Sequence, residues 1–158
     1  MMSQGMEQEI TVRFAVLGDL AFAAQDGHVP AKVVKRKIEW QEVVIAQRGE
    51  SSVGYARLEY LWSAVPYVAL IYVLPKYRKQ GIGKAILAFI ERFLIHQGHE
   101  VLYSSSQLDE PEPQAWHRHV GFEECGIIAG INDGGIGEVF FCKPLCSARP
   151  QPLLHKGC

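Results

Sequence analysis

Residues 67–94 pass from a continuous apolar run to a helical repeat through one short loop. The run YVALIYV, residues 67–73, has no charged side chain, which predicts a central strand covered on both faces. After Pro75 the apolar residues recur at the spacing of an amphipathic helix. Gly81 and Gly83 lie between the two patterns. The chain must therefore fold so that a central strand leads into a helix through a loop without bulky side chains.

The rest of the chain predicts further strands and helices. Alternation of apolar and polar residues indicates a strand, whereas a spacing of three or four indicates a helix. The order of elements predicts one α+β or α/β domain over residues 1–145, built on a mostly antiparallel central sheet. Residues 146–158 read as a tail that is disordered or lies on a surface. The predicted strands cover residues 7–16, 40–48, 53–62, 67–73, 101–106, 123–131 and 136–145, and the predicted helices lie within 18–37, 82–94 and 111–120.

Composition limits the partners and the compartment. With 16 basic and 17 acidic residues among 158, the chain gives no reason to expect nucleic acid or an anionic membrane as a partner. No apolar run reaches the roughly 18 residues that span a bilayer, and the first residues lack a signal-peptide pattern. The four cysteines form no C-x-x-C pair and the histidines do not converge, so neither a disulfide framework nor a metal site is expected. We expect a cytoplasmic protein.

The loop RKQGIGK, residues 78–84, has the composition of an anion site. The first N–H groups of a helix have no partner within it, and glycines allow a phosphate to approach them. The alternative is a tight turn with no ligand. A Walker A loop is excluded because Ala85 follows Lys84, and a dinucleotide loop is excluded because no third glycine follows.

The same loop, taken with its flanks, resembles the acetyl-coenzyme A motif of the GCN5-related N-acetyltransferases. The resemblance rests on R-x-x-G-x-G at residues 78–83, on the preceding V-x-P-x-Y-R, and on EPEPQAWHRHVGF, which ends in glycine and phenylalanine as the family's later motif does. It covers nearly the whole chain. It implies a twisted mixed sheet flanked by helices on both faces, acetyl-coenzyme A as cosubstrate, and direct attack of an acceptor amine on the thioester. Homodimers are common in this family.

The resemblance also assigns roles to individual positions. The backbone of one strand end would pair with the pantetheine arm, and the loop amides would hold the pyrophosphate. Glu110 stands where the family often has an asparagine that contacts the pantetheine amides. The implied cofactor-binding residues are Ile71, Tyr72, Val73, Arg78, Lys79, Gln80, Gly81, Ile82, Gly83, Lys84 and Glu110.

The candidate catalytic residues depart from the family pattern. His117 stands where many members have the tyrosine that protonates the leaving thiolate, and imidazole can donate a proton near neutral pH. The alternative is a histidine that only packs. Ser105 stands where some relatives have a glutamate base, so Glu59 becomes the candidate base. Asp109, Glu110 and Glu138 are comparable candidates, and a chain of waters could also take the proton.

We therefore expect an N-acetyltransferase that acts on a primary amine of a small molecule or a peptide N-terminus. One rival is an acetyl-coenzyme A sensor that has lost catalysis, which the missing tyrosine and missing base favour. Another is a partner-binding domain in which the loop is only a turn. The aromatic residues Trp40, Trp62, Tyr55 and Tyr60 could line a substrate cleft, but aromatic residues on strands are mainly core or cross-strand partners, and no role is assigned to them.

Overall fold

The structure is a computed structural model that describes residues 8–145, so the predicted tail lies outside the described residues. The described part contains seven strands and four α-helices, which confirms the predicted α+β class. It divides into two compact units, residues up to Arg92 and residues from Phe93 onward. No helix in the described part is long and apolar enough to cross a bilayer.

The first unit is a four-stranded antiparallel sheet with its helices. Its strands pair in the order β1 to β4, and a β-bulge leaves Ala69 of β4 without a partner, because Val68 and Leu70 pair with consecutive residues of β3. The elements are β1 (Ile10–Phe14), α1 (Leu20–Ala23), α2 (Ala31–Glu39), β2 (Val43–Arg48), β3 (Ser51–Leu61), β4 (Val65–Val73) and α3 (Ile82–His96), whose last turn belongs to the second unit.

The two faces of this sheet carry different side chains because residues alternate along each strand. One face forms a core with α1 and α2 that includes Val34, Ile45 and Tyr55. On the other face, Gly54 leaves room for the start of α3, since a Cβ at Gly54 would stand 3.3 Å from Ile82 Cγ2. The packing of α3 on β3 therefore fixes where the helix begins.

The second unit is a three-stranded antiparallel sheet with one helix. β7 pairs with β5 on one side and with β6 on the other. In the Asn-Asp-Gly-Gly segment between β6 and β7, Gly134 and Gly135 adopt positive φ, whereas Asn132 has a φ of −93°. The elements are β5 (Val101–Gln107), α4 (Pro111–His119), β6 (Glu123–Ile128) and β7 (Glu138–Pro144).

Two expectations about burial were wrong. β4 is apolar, but only Pro66 and Val68 are buried, Ala69 is exposed, and the rest of the strand is half-buried. Trp40 and Trp62 are 64% and 88% exposed, and Trp62 sits in the β3–β4 turn with φ 50° instead of on a strand. An apolar strand that stays partly accessible is the surface expected of a ligand groove.

Candidate functional site

The conformation of the loop from β4 to α3 is set by its backbone and by neighbouring side chains. A 3-10 turn at Pro75–Tyr77 is followed by positive φ at Lys79 (60°) and Gly81 (80°). Arg48 at the end of β2 donates to Gln80 Oε1 at 2.7 Å, and its guanidinium lies over the Tyr77 ring at 5.6 Å. The loop is therefore braced by a side chain of the first unit.

The backbone N–H groups of this loop lie at the start of α3. Ala85 N–H donates to the Gly81 carbonyl at 3.0 Å, and this is where the α3 hydrogen-bond ladder begins. Among the described residues, no backbone carbonyl accepts from the N–H groups of residues 79–84. A Cβ at Gly81 would have no atom within 4 Å, so the approach to these donors is open. Unpaired amides at a helix N-terminus, with basic side chains beside them, favour the binding of an anion, and the binding of pyrophosphate at this loop stays a prediction.

The end of β4 adjoins the same loop. Ile71, Tyr72 and Val73 are half-buried, and Arg78 ties the loop to them. Its Nε donates to the Val73 carbonyl at 3.0 Å, and its guanidinium lies 5.8 Å from the Tyr72 ring centre. The structure therefore brings the predicted strand residues and the predicted loop residues together in one unit. Their pairing with pantetheine stays a prediction.

A buried ion pair adjoins Tyr55, which contacts Tyr72, and was missed by sequence reasoning. The Tyr55 ring lies 5.2 Å from Tyr72, and its hydroxyl donates to Asp26 at 2.6 Å. Arg57 donates to both Asp26 oxygens at 2.6 and 2.8 Å. The Arg57 hydrogen bonds hold the pKa of the Asp26 carboxyl well below its usual range. Asp26 is therefore an anchor for the segment between α1 and α2, and a poor base.

Glu59, the candidate base, lines a pocket of the first unit that includes no residue of the β4–α3 loop. This pocket has a volume of about 360 Å³ and is also lined by Lys37, Trp40 and Glu42. The Glu59 carboxylate is 3.2 Å from the Lys37 ammonium, which also donates to Glu42 at 3.0 Å. To act as a base, Glu59 would have to give up this ion pair. The role stays a prediction.

His117, the candidate acid, is buried in the second unit with both ring nitrogens bonded. Its Nδ1 lies 2.7 Å from the Pro113 carbonyl and its Nε2 lies 2.7 Å from Ser104 Oγ. The ring stacks on Phe141 at 4.6 Å, and burial lowers the pKa of the imidazole. A carbonyl can only accept, so Nδ1 carries the proton and Nε2 accepts from the serine. This geometry suits packing better than proton donation, and the acid role stays a prediction.

Two other acidic candidates of the second unit differ in their surroundings. Glu110 is exposed, precedes α4, and makes no side-chain cap for that helix. Glu138 is half-buried at the start of β7, where Ser105 Oγ and Asn132 Nδ2 both donate to its carboxylate. The serine that replaces the expected glutamate on β5 thus contacts a glutamate on the neighbouring strand. Spacing alone could not show this, because 33 positions separate the two residues.

Comparison with known proteins identifies the family of these features. A family model described as an acetyltransferase (GNAT) domain matches residues 39–124, more than half of the chain. The aminoglycoside N(6')-acetyltransferase type 1 of Stenotrophomonas maltophilia is 34% identical over 62 residues, which are 39% of this chain and 40% of that protein. The match thus spans about two-fifths of that relative's length.

Solved structures share the fold at low sequence identity. The ribosomal-protein-S18-alanine N-acetyltransferase of Escherichia coli is 18% identical, with a TM-score of 0.73 over 90% of this chain and 98% of that chain. The yncA protein of Salmonella typhimurium, solved with its cofactor acetyl-CoA, is also 18% identical, with a TM-score of 0.70 over 90% of this chain and 98% of that chain.

Proposed function

Since the chain belongs to the GNAT family of acetyltransferases, we propose that it moves an acetyl group from acetyl-coenzyme A to a primary amine of a small molecule or a peptide N-terminus. The observation that carries this proposal is the loop of residues 79–84, whose amides have no backbone acceptor among the described residues. A diphosphate offers the negative charge and the acceptor oxygens that such a loop favours.

The residues present fit this cosubstrate. The loop amides and the side chains of Arg78, Lys79 and Lys84 would hold the pyrophosphate, and the accessible end of β4 would receive the pantetheine arm. Bound acetyl-coenzyme A supplies the thioester carbonyl that the acceptor amine attacks. The protein must bind the amine in its neutral form and orient it, since proximity contributes much of the rate in such transfers.

The names of two similar proteins indicate which amines to test first. The Stenotrophomonas relative is named for aminoglycosides, and the E. coli structure for the alanine of a ribosomal protein. A panel of aminoglycosides, polyamines and peptides with free N-termini therefore covers the proposal. Release of free thiol from acetyl-coenzyme A, dependent on one of these amines, is the test. Absence of release above background across the panel would contradict an active transferase.

The second candidate function is an acetyl-coenzyme A sensor without catalysis. The contacts of both candidate catalytic groups favour a sensor, because both ring nitrogens of His117 are hydrogen-bonded and Glu59 is paired with Lys37. A sensor would bind coenzyme A in calorimetry and release no thiol with any amine. An enzyme would do both, so the two functions are separated by running the two assays on one preparation.

We also propose that the protein acts in the cytoplasm as a homodimer. β6 supports a dimer, since each of its residues is exposed, including Ile127 at 59% and Ile128 at 46%. Light scattering after gel filtration tests this, and a mass of one chain at micromolar concentration would contradict it.

A further inference from the structure

The second unit carries a carboxylate that is held in place by neutral groups. Glu138 Oε2 accepts from Asn132 Nδ2 at 2.8 Å, and its Oε1 accepts from the Ser105 hydroxyl. No lysine, arginine or histidine of the described residues lies within ion-pair distance of this carboxylate. Two half-buried glutamates of the first unit, Glu42 and Glu59, are in contrast both paired with Lys37. Glu138 thus carries a fixed negative charge without an ion-pair partner among the described residues, and its charge acts on His117 only by raising the pKa of that imidazole against the larger effect of burial.

Strand alternation places this carboxylate away from the helix of its unit. Ser104 and Phe141 contact His117 of α4, so they lie on the face that α4 covers. Ser105 follows Ser104 and therefore points to the opposite face. Glu138 is in register with Gln107, two residues beyond Ser105, and shares that opposite face. Glu138 therefore lies on the face of the second sheet that is opposite to α4, where it is half-buried.

The groups that hold Glu138 are themselves fixed. The Asn132 backbone N–H donates to the Ile136 carbonyl at 3.0 Å, and Gly135 N–H donates back to the Asn132 carbonyl at 3.1 Å. Gly134 and Gly135 adopt the positive φ that this tight loop requires. A carboxylate has about four acceptor positions, and the two donors use only two of them. Two positions remain for a ligand with N–H groups.

From these observations we infer that Glu138 binds an ammonium group of the acceptor other than the amine that is acetylated, with Ser105 and Asn132 as its positioning residues. The inference rests on the proposed function and names the class of acceptor: amines that carry a positive charge, in preference to neutral or anionic ones. An ammonium donates hydrogen bonds to a carboxylate that are stronger than those between neutral groups. Glu138 is thus an acceptor-binding residue, and no proton transfer is assigned to it.

The first test uses Glu138→Gln, with Glu124→Gln as the matched control. Glu124 is an exposed glutamate on the neighbouring strand β6 that pairs with Arg118, so its loss removes the same charge elsewhere on the unit. With the best cationic acceptor of the panel, Glu138→Gln is expected to raise KM about tenfold and to change kcat less than about threefold. Glu124→Gln should leave both unchanged. An unchanged KM in Glu138→Gln, or an equal rise in both variants, overturns the inference.

A second measurement is independent of catalysis. In the full-length protein, the side-chain amide signals of Asn132 in a nitrogen-15 NMR spectrum report directly on the Glu138 carboxylate. Titration with spermidine should shift them saturably in the wild type and in Glu124→Gln, and not in Glu138→Gln. Absence of a shift in the wild type would overturn the inference even if acetyl transfer is found. A saturable shift without thiol release would instead refute the proposed function and keep the ammonium site.

If Glu138→Gln does not fold, Glu138→Asp replaces it. The shorter side chain keeps the charge and moves it away from Asn132, so KM for the cationic amine should rise while the binding of coenzyme A stays the same. An unchanged KM in this folded variant would again overturn the inference.

Discussion

The buried pair of Asp26 and Arg57 gives a stability prediction whose size follows from the geometry. Their side chains are only 3% and 4% exposed. Asp26 accepts four hydrogen bonds, two from Arg57, one from the Tyr55 hydroxyl at 2.6 Å, and one from the His28 backbone N–H at 2.9 Å. Asp26→Asn keeps the shape but removes the charge, so a buried guanidinium loses its counterion. We expect a loss of about 3 kcal/mol in the free energy of unfolding, the lower end of the range for a broken buried pair.

Asp19→Asn is the matched control, because Asp19 also binds an arginine through both oxygens. Arg13 donates to them at 2.7 and 3.1 Å, but its side chain is 38% exposed. Solvent screens this pair, so its loss should cost no more than about 1 kcal/mol. Urea unfolding at pH 7, followed by circular dichroism, measures both variants. Equal losses in the two variants would refute the reasoning from burial.

The pH dependence of the Asp26 variant has a definite sign. The pKa of Asp26 is lowered in the folded protein, chiefly by its hydrogen bonds to Arg57. The contribution of the Asp26 carboxylate to the free energy of unfolding is therefore complete above its unfolded pKa of about 3.9. It is lost as the pH falls from there toward the lower pKa of the folded protein. The gap in unfolding free energy between the wild type and Asp26→Asn should narrow from pH 5 to pH 2. A gap that stays constant over this range would contradict the assignment.

Two further predictions concern the packing of a strand glycine and the pH dependence of stability at a buried histidine. A valine at Gly54 would place Cβ 2.9 Å from the Tyr72 carbonyl oxygen, so we expect Gly54→Val to cost about 1–3 kcal/mol in urea unfolding and to weaken the binding of coenzyme A. The control is Gly126→Val, because a Cβ added at this strand glycine has no atom within 4 Å. An equal loss of unfolding free energy in the two variants would contradict the expectation. His117 has a pKa lowered by burial, so wild-type stability should fall as the pH drops below about 6.5, and less so in His117→Gln. A fall of the same size in His117→Gln would show that another group is responsible.

The sequence predicted the elements well wherever one strong local pattern decided them. The helix expected from residue 82 begins at Ile82, and the strand expected at residues 101–106 is Val101–Gln107. Glycine and proline signals also marked the late hairpin and the start of α4, where Pro111 occupies the first turn. Local propensity sufficed because these signals act within a few residues.

Long-range pairings could not be predicted in this way. Asp26 and Arg57 are 31 positions apart, and no period in the sequence connects them. An arginine within the apolar strand β3 is a signal that a buried partner exists, but it does not identify that partner. The same holds for Ser105 and Glu138, which meet only because β5 and β7 are neighbours. The acid role of His117 was inferred from its position in a motif. Its hydrogen bonds, however, are made to Ser104 on strand β5 and to Pro113 in the preceding turn of α4.

Binding of coenzyme A to the wild type and to Gly83→Val, measured by isothermal titration calorimetry, tests the anion site most directly. Gly83 lies inside α3 and is not among the glycines with positive φ, so valine fits the backbone there and the helix should survive. Side chains in a helix tilt toward its N-terminus, so a branched side chain at position 83 is expected to hinder access to the first-turn amides. We predict wild-type affinity in the micromolar range and a loss of at least about 100-fold in a variant with a native circular dichroism spectrum. Equal affinity in the two folded proteins would show that the diphosphate is not held by the start of α3.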